Sequence, residues 1–238
     1  MTMEEKKIPA HIAMVMDGNG RWASQRGFSR SIGHRKGTET VRGAMEFCID
    51  NSVDYLTLFA FSTENWKRSA AEVDAIMSLL REFLYSQTPE MNENRIKIDF
   101  IGDTSRIPAS SQRAMEYARE TTKNNDKLKV NIACNYGGRA DILYATKEIA
   151  RRAARGLIDP ETLTEEDISA SLYTSDFPDP DLLIRTGAEK RISNFMLWQL
   201  AYCEIYFTDT LWPDMDKEKF AEALKWFSGR QRRYGGVK

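Results

Sequence analysis

Apolar residues along this chain arrive in two rhythms. Unbroken runs of strand length stand at Ile12 to Met16, Tyr55 to Phe61, Ile96 to Ile101, Val130 to Cys134, Leu182 to Ile184 and Cys203 to Phe207, each short enough to be one buried strand. Between most of them the apolar positions recur every three or four residues. Val41, Ala44, Met45 and Cys48 keep that helical spacing, as do Val73, Ile76, Met77, Leu80, Phe83, Leu84 and Met91. Further helices are predicted from about Ser110 to Lys123, Asp141 to Arg155, Glu165 to Leu172 and Lys217 to Phe227. Buried runs alternating with amphipathic helices predict an α/β fold, a single domain with a mainly parallel central sheet of about six strands and helices on both faces. Pro160 and the Asp176 to Asp181 segment mark turns rather than linkers. The Val73 to Met91 stripe is unusually rich. It reads first as a core-facing surface and second as a wall of a ligand cavity, and one helix can serve as both.

Composition narrows the function. The 34 basic and 35 acidic residues nearly cancel and form no basic block, which argues against nucleic acid as the main partner. Cys48, Cys134 and Cys203 lie in apolar surroundings without metal-type spacing, and His11 and His34 are the only histidines. A zinc cluster is therefore not expected, and the thiols read as buried in a reducing cytoplasm. Glu4, Glu5, Lys6 and Lys7 precede too short an apolar run for a signal peptide, and no later run is long enough to span a bilayer. A soluble, cytoplasmic protein is the expectation.

Sheets of this class bind ligands beyond the carboxyl ends of their strands, so the polar residues after each run carry the candidate chemistry. The first run ends in Asp17-Gly18-Asn19-Gly20-Arg21-Trp22. Gly18 and Gly20 let backbone amides approach an anion, and Arg21 adds a planar donor suited to phosphate oxygens. A carboxylate in such a cradle would repel its ligand unless a divalent cation lay between them, so Asp17 points to a magnesium diphosphate. The plainer alternative is a strand-to-helix turn capped by Asp17.

After the second run come Ser62-Thr63-Glu64-Asn65-Trp66-Lys67-Arg68. Ser62, Asn65 and Arg68 could together hold a phosphate and a reacting proton, while Ser69 and Glu72 have the spacing of a capping box for the following helix. Arg30 and His34 sit near the start of the first long helix, where free amides favour an anion. After the fifth run, Arg185, Arg191 and Ser193 make a clamp for a second diphosphate. Glu204 heads the last run and reads equally as a structural charge or as a second oxygen ligand for magnesium. Asp176, Asp179 and Asp181 imitate a metal motif, but Pro178 and Pro180 break the helical geometry it would need, leaving a solvated turn.

Taken together, Met16 to Trp22, Gly33-His34, Phe61 to Arg68, Asn135-Tyr136-Gly137-Gly138-Arg139, Ile184 to Phe195 and Arg232 to Gly236 resemble the motifs of the cis-prenyltransferases, in order, over nearly the whole chain from about Pro9 to Gly236. The resemblance implies one cis-prenyltransferase domain over 1–238, with tails at 1–8 and 229–238. It implies magnesium-dependent addition of isopentenyl diphosphate to an allylic primer such as farnesyl diphosphate, with cis double bonds and a long polyprenyl product of undecaprenyl type, the precursor of a cell-wall lipid carrier. Asp17 would handle the magnesium and the leaving diphosphate, and Glu204 would share the metal. Gly18, Asn19, Gly20, Arg21, Arg30 and His34 would surround the allylic phosphates. Arg68, Arg185, Arg191 and Ser193 would bind isopentenyl diphosphate, with Trp22, Ser62, Thr63, Glu64, Trp66 and Ile192 also at the substrates.

Asn65 resembles the residue assigned to proton removal. A neutral amide is a poor base, which leaves Ser62 or the departing diphosphate as alternative acceptors. The apolar helix would form a tunnel wall opposite Ala60, Leu128 and Cys134, whose floor sets product length. Arg233-Tyr234-Gly235 resembles an ending that reaches into the partner subunit of a homodimer, and so apolar a product is compatible with peripheral membrane contact at its release. Lys190 and Ala188 depart from the pattern, standing where a histidine or glutamine and a second glycine are usual. A short-chain cis-prenyl synthase shares all these motifs, whereas non-catalytic subunits lose the aspartate and asparagine that this chain keeps at Asp17 and Asn65.

Overall fold

β1 (His11–Val15) is buried along its whole length, because it occupies the middle of the sheet and both of its faces are covered. The computed structural model describes residues 7–230. Six strands, β1, β2 (Tyr55–Ser62), β3 (Ile96–Ile101), β4 (Leu128–Tyr136), β5 (Leu182–Arg185) and β6 (Glu204–Phe207), form one sheet in the order β3-β4-β2-β1-β5-β6. Every pairing is parallel, so the expected sheet is present and is parallel throughout. The chain leaves β1 for β2 on one side and returns to β5 on the other. That reversal opens a crevice at the carboxyl ends of the central strands.

Helices α2 (Arg30–Asp50), α3 (Ala70–Glu93), α4 (Ala109–Thr122) and α7 (Lys217–Ser228) bury their apolar stripes with one face of the sheet in the larger core. Leu58, Val130 and Ile132 belong to this core. On the opposite face Ala13, Val15, Ala133 and Leu183 pack with Phe195, Met196 and Leu200. α5 (Gly138–Ala154) and the short α6 (Glu165–Ser169) complete the main helices. One helix was foreseen only in the alternative reading of the first turn, and no apolar periodicity announced it: α1 (Asn19–Gln25) follows directly on that turn. Its seven residues include Asn19 and Gly20 and bury only Trp22 and Ala23, too few apolar positions for a periodic signal.

Two local details bear on function. The β2–β4 ladder slips between Phe59 and Phe61 and again before Ser62, a bulge that leaves Ala60 without a partner and re-aims the end of β2. At the other end of the sheet, His11 is wholly buried, with Nδ1 2.7 Å from the Pro178 carbonyl and Nε2 2.8 Å from Thr57 Oγ1. A carbonyl can only accept, so Nδ1 carries the proton and Nε2 accepts from Thr57. Burial, against the smaller pull of the Pro178 carbonyl and Asp181, lowers its pKa to about 4.

The Asp176 to Asp181 segment is only partly the solvated turn expected. Asp181 accepts from the backbone N–H groups of Ala10 and His11 at 2.8 and 3.2 Å and so fastens the start of β1.

Candidate active site

Val15 and Arg185 are paired in register at the carboxyl ends of β1 and β5, which sets the next residue but one, Asp17, beside the Arg185 guanidinium. Arg185 Nη2 donates to Asp17 Oδ2 at 2.9 Å, with the Arg185 side chain 3% exposed and that of Asp17 33% exposed. Arg185 Nη1 donates to Ser193 Oγ at 2.7 Å and to the Arg191 carbonyl. Arg21 Nη2 lies 3.5 Å from Asp17 Oδ1 and 3.7 Å from Glu189, which also pairs with Arg191. Three guanidinium groups thus face two carboxylates in one linked set, leaving one net positive charge for an anion to meet. The Asp17 carbonyl is fixed as well, accepting from Thr186 Oγ1 at 2.7 Å and from the Trp212 N–H at 3.0 Å. Gly18, at φ 111°, caps α1 without a side-chain hydrogen bond. Asp17 is therefore not a helix cap, and its carboxylate is held at the crevice by Arg185 and Arg21.

A cavity of about 760 Å³ opens there, within the size range of ligand pockets. Its mouth holds Asp17, Asn19, His34, Ser62, Glu64, Asn65, Arg68, Arg185, Arg191 and Ser193 from the expected set. Its interior is apolar, between Ile76, Leu79, Leu80 and Phe83 of α3, Val41 of α2, and Leu58, Ala60 and Ile132 of the sheet. The bulge explains how the consecutive residues Phe59 and Ala60 both reach it. Leu128 and Cys134 are wholly buried in the same core and do not line it. Ile132 stands four residue steps beyond Leu128, about 13 Å of strand, so Leu128 lies in the packed layer toward the amino end of the sheet.

A second cationic group lies at the starts of α2 and α3. Arg68 meets Glu72 at 2.9 Å and Arg30 meets it at 3.6 Å, with Arg30 largely exposed. Arg30, His34 and Glu72 line a side groove of about 370 Å³ that shares Ile76 and Leu79 with the main cavity. Burial first, and then the charges of Arg68 and Arg30, keep the His34 imidazole below its ordinary pKa against the opposing pull of Glu72. The expected capping box at Ser69 is half formed: Ser69 Oγ accepts from Glu72 N–H, while the Glu72 carboxylate is turned to the two arginines. The reciprocal box lies instead in the 3₁₀ turn Thr63–Lys67, where Ser62 and Asn65 satisfy each other and Asn65 Oδ1 accepts from Ser62 N–H at 3.0 Å.

Several expected residues stand back from the cavity. Trp22 donates to Asp214 at 2.7 Å and fastens α1 to the 212–214 turn. Trp66 donates to Asn135 at 2.7 Å and packs edge-on against Phe61. Thr63 and Ile192 hold the backbone on which Glu64 and Ser193 are carried, and Ile192 packs into the smaller core. Glu204 is not brought to Asp17. It pairs with Leu182 at the amino end of the sheet, opposite Asp17, and meets Arg230 at 3.0 Å, so within one chain the two carboxylates share no cation. Among the described residues, no three His, Cys, Asp or Glu side chains cluster as a metal cage. Lys190 is exposed. The Arg232 to Gly236 ending lies outside the described residues.

Sequence reasoning missed Asn194, Glu189 and Trp212. Asn194 and Trp212 line the cavity and Glu189 closes the charge ring. Glu189 and Asn194 stand inside the Ile184 to Phe195 run without having been singled out there, and Trp212 left its signal as an aromatic directly before Pro213.

A family model described as "Putative undecaprenyl diphosphate synthase" matches residues 15–235. The chain is 48% identical to an isoprenyl transferase of Heliobacterium mobile over 236 residues, 99% of this chain and 91% of the relative. It is 48% identical to one of Fusobacterium nucleatum over 98% of this chain and 99% of the relative.

The chain belongs to the undecaprenyl diphosphate synthase family.

Solved structures agree with that membership. Lavandulyl diphosphate synthase from Lavandula x intermedia, in complex with dimethylallyl diphosphate, superposes with a TM-score of 0.94 at 36% identity, covering 96% of this chain and 98% of that one. A "probable undecaprenyl diphosphate synthase" from Campylobacter jejuni gives 0.80 at 37% identity, over 98% and 100%. As a member of this family of isoprenyl transferases, the protein is a prenyltransferase. No helix among the described residues is long and apolar enough to cross a membrane.

Proposed function

We propose that this prenyltransferase condenses isopentenyl diphosphate repeatedly onto an allylic diphosphate such as farnesyl diphosphate, making a long cis-polyprenyl diphosphate of undecaprenyl type. The observation that carries the reading is the Asp17 carboxylate between Arg21 and Arg185, at the charged mouth of an apolar cavity. A lone carboxylate suits magnesium, which usually keeps its waters and takes the rest of its shell from substrate phosphates. Asp17 would hold that ion, whose charge, when bound, offsets the negative charge growing on the leaving diphosphate.

Arg21, Arg30 and His34 would grip the allylic diphosphate, and Arg68, Arg185, Arg191 and Ser193 that of the isopentenyl substrate. Their fixed positive ends favour departure of the allylic diphosphate over its resting state. The apolar walls keep water from the carbon that develops positive charge, and each added isoprene unit gains roughly 3 to 4 kcal/mol by leaving water. Asn65 is an unsuitable proton acceptor, because a neutral amide is too weak a base, and its Oδ1 faces the Ser62 N–H. The departing diphosphate carries the charge to take that proton, and Asn65 Nδ2 is the group left to orient it. A homodimer completed by the C-terminal segment, with membrane contact at product release, belongs to the same proposal.

The second reading, a short-chain cis-prenyl synthase, draws support from the lavandulyl enzyme's TM-score of 0.94. One assay separates the two. Incubation of the purified protein with farnesyl diphosphate, radiolabelled isopentenyl diphosphate and magnesium, followed by sizing of the dephosphorylated products, should give a ladder ending in long polyprenols. Products stopping after one or two additions favour the short-chain reading, and absence of label in any prenol overturns both.

A further inference from the structure

The Asn135 to Arg139 motif takes no part in the chemistry above, yet it meets the turn that carries Asn65 from both sides. Asn194 lies at φ 61° and lines the cavity. Its Nδ2 donates to Glu64 Oε1 at 2.9 Å, its Oδ1 accepts from Arg139 N–H at 2.9 Å, and its carbonyl accepts from Gly138 N–H at 2.6 Å. On the other flank Trp66 Nε1 donates to Asn135 Oδ1, and Asn135 Nδ2 donates to the Asp103 carbonyl, both at 2.7 Å. A side chain at Gly137 would stand 2.7 Å from Asn194 Nδ2, so the glycine leaves room for this amide. The Asn65 side chain bonds to Ser62 within the same turn, and the Asn65 carbonyl accepts from Arg68 N–H at the turn's end. Its place in the cavity is therefore set by its two anchored neighbours, Glu64 and Trp66.

We propose that Asn194 is a positioning residue for prenyl transfer. Its amide ties the Thr63–Lys67 turn, and with it Asn65, to the loop that presents Arg191 and Ser193. The bond to Glu64 is charge-assisted and bridges two separate turns of the crevice, so the group that orients the reacting diphosphate and the groups that bind it move as one unit. Left-handed backbone is tolerated by asparagine better than by most residues, and it aims the side chain across the cavity mouth. This inference rests on the prenyl-transfer reading and adds a residue that the sequence motifs did not single out.

The test compares wild type with Asn194→Gly, Asn194→Asp and the double variant Glu64→Gln, Asn194→Asp in steady-state elongation, with melting curves taken in parallel. Glycine keeps the left-handed backbone without strain and deletes only the amide. Asn194→Gly should lower kcat roughly tenfold or more, the scale on which a small misplacement near reacting groups acts, while melting near wild type. Asn194→Asp sets one carboxylate against another and should fall further at neutral pH. The double variant exchanges donor and acceptor and should recover most of that loss, which a merely structural role would not produce. A wild-type kcat in Asn194→Gly, a loss that only follows its unfolded fraction, or a double variant no better than Asn194→Asp overturns the inference. A wild type that transfers no prenyl group overturns the functional reading instead.

Discussion

Ala188 holds its backbone at φ 62° in the loop between Arg185 and Arg191, the two arginines of the proposed diphosphate clamp. A left-handed residue with a Cβ costs about 1 to 2 kcal/mol, of which glycine would return part, its greater freedom in the unfolded chain offsetting about 0.5 to 1 kcal/mol. Ala188→Gly should therefore stabilise the fold by about 0.5 to 1 kcal/mol, a rise of about 2 °C in Tm. A lowered Tm would show that the alanine methyl makes a contact worth more than the strain. Ser193 and Asn194 are left-handed in the same loop, at φ 51° and 61°. Strain concentrated where a phosphate would be gripped is the usual mark of a shape fixed for binding. At Asp17 the informative substitution is asparagine. Alanine would leave the Arg185 guanidinium, 3% exposed, without its anion, whereas Asp17→Asn keeps an oxygen to accept from Arg185 Nη2 and removes only the charge.

Among the elements, α3 and the bulged end of β2 make the cavity. Ile76, Leu79, Leu80 and Phe83 line it over about 10 Å of helix, and Ala60 is the small residue facing them from β2. Ala60→Leu should shorten the longest product, read by sizing the dephosphorylated prenols, and an unchanged distribution would remove Ala60 from the chain path. The same enlargement at Cys134, buried and outside the lining, should instead cost about 1 to 3 kcal/mol by overpacking. This contrast also shows how far the sequence was legible. Strands announced themselves because a parallel sheet buries both faces, and α3 because its stripe is rich. The bulge did not, since a register slip leaves no periodic trace, and so Leu128 and Cys134 stood in for Ile132 and Leu58 as cavity walls. α1 stayed hidden behind its glycines. The full Ser62–Asn65 capping box stayed hidden because the neighbouring Ser69 and Glu72 carry the better-known residue pair.

At the scale of the whole molecule, the site lies where the strand order reverses and the stability of the sheet has its own titrating group at the opposite end. The folded His11 has a pKa of about 4 against an ordinary 6.5, so the native state binds fewer protons than the unfolded chain between those values. Stability from this group is complete above pH 6.5 and is lost as pH falls toward 4, about 3 kcal/mol in all. NMR titration should leave the His11 ring neutral down to about pH 4, with urea midpoints falling over the same window. Titration near 6.5 would contradict the buried assignment.

What the sequence could place at this scale was set by position at strand ends: Asp17, Asn65, Arg68, Arg185, Arg191 and Ser193 all meet at one mouth. Glu204 opens its strand rather than closing it, so within one chain it stands at the other end of the sheet from that mouth. The account depends on Asp17 acting through its charge. The most direct measurement is isopentenyl diphosphate incorporation by wild type and Asp17→Asn across a magnesium titration, with melting curves confirming that both are folded. Wild type should depend on magnesium and Asp17→Asn should lose at least a hundredfold in kcat, on the order of what removal of one charge-stabilising group costs. Elongation by Asp17→Asn at the wild-type rate, with the same magnesium dependence, would contradict the account.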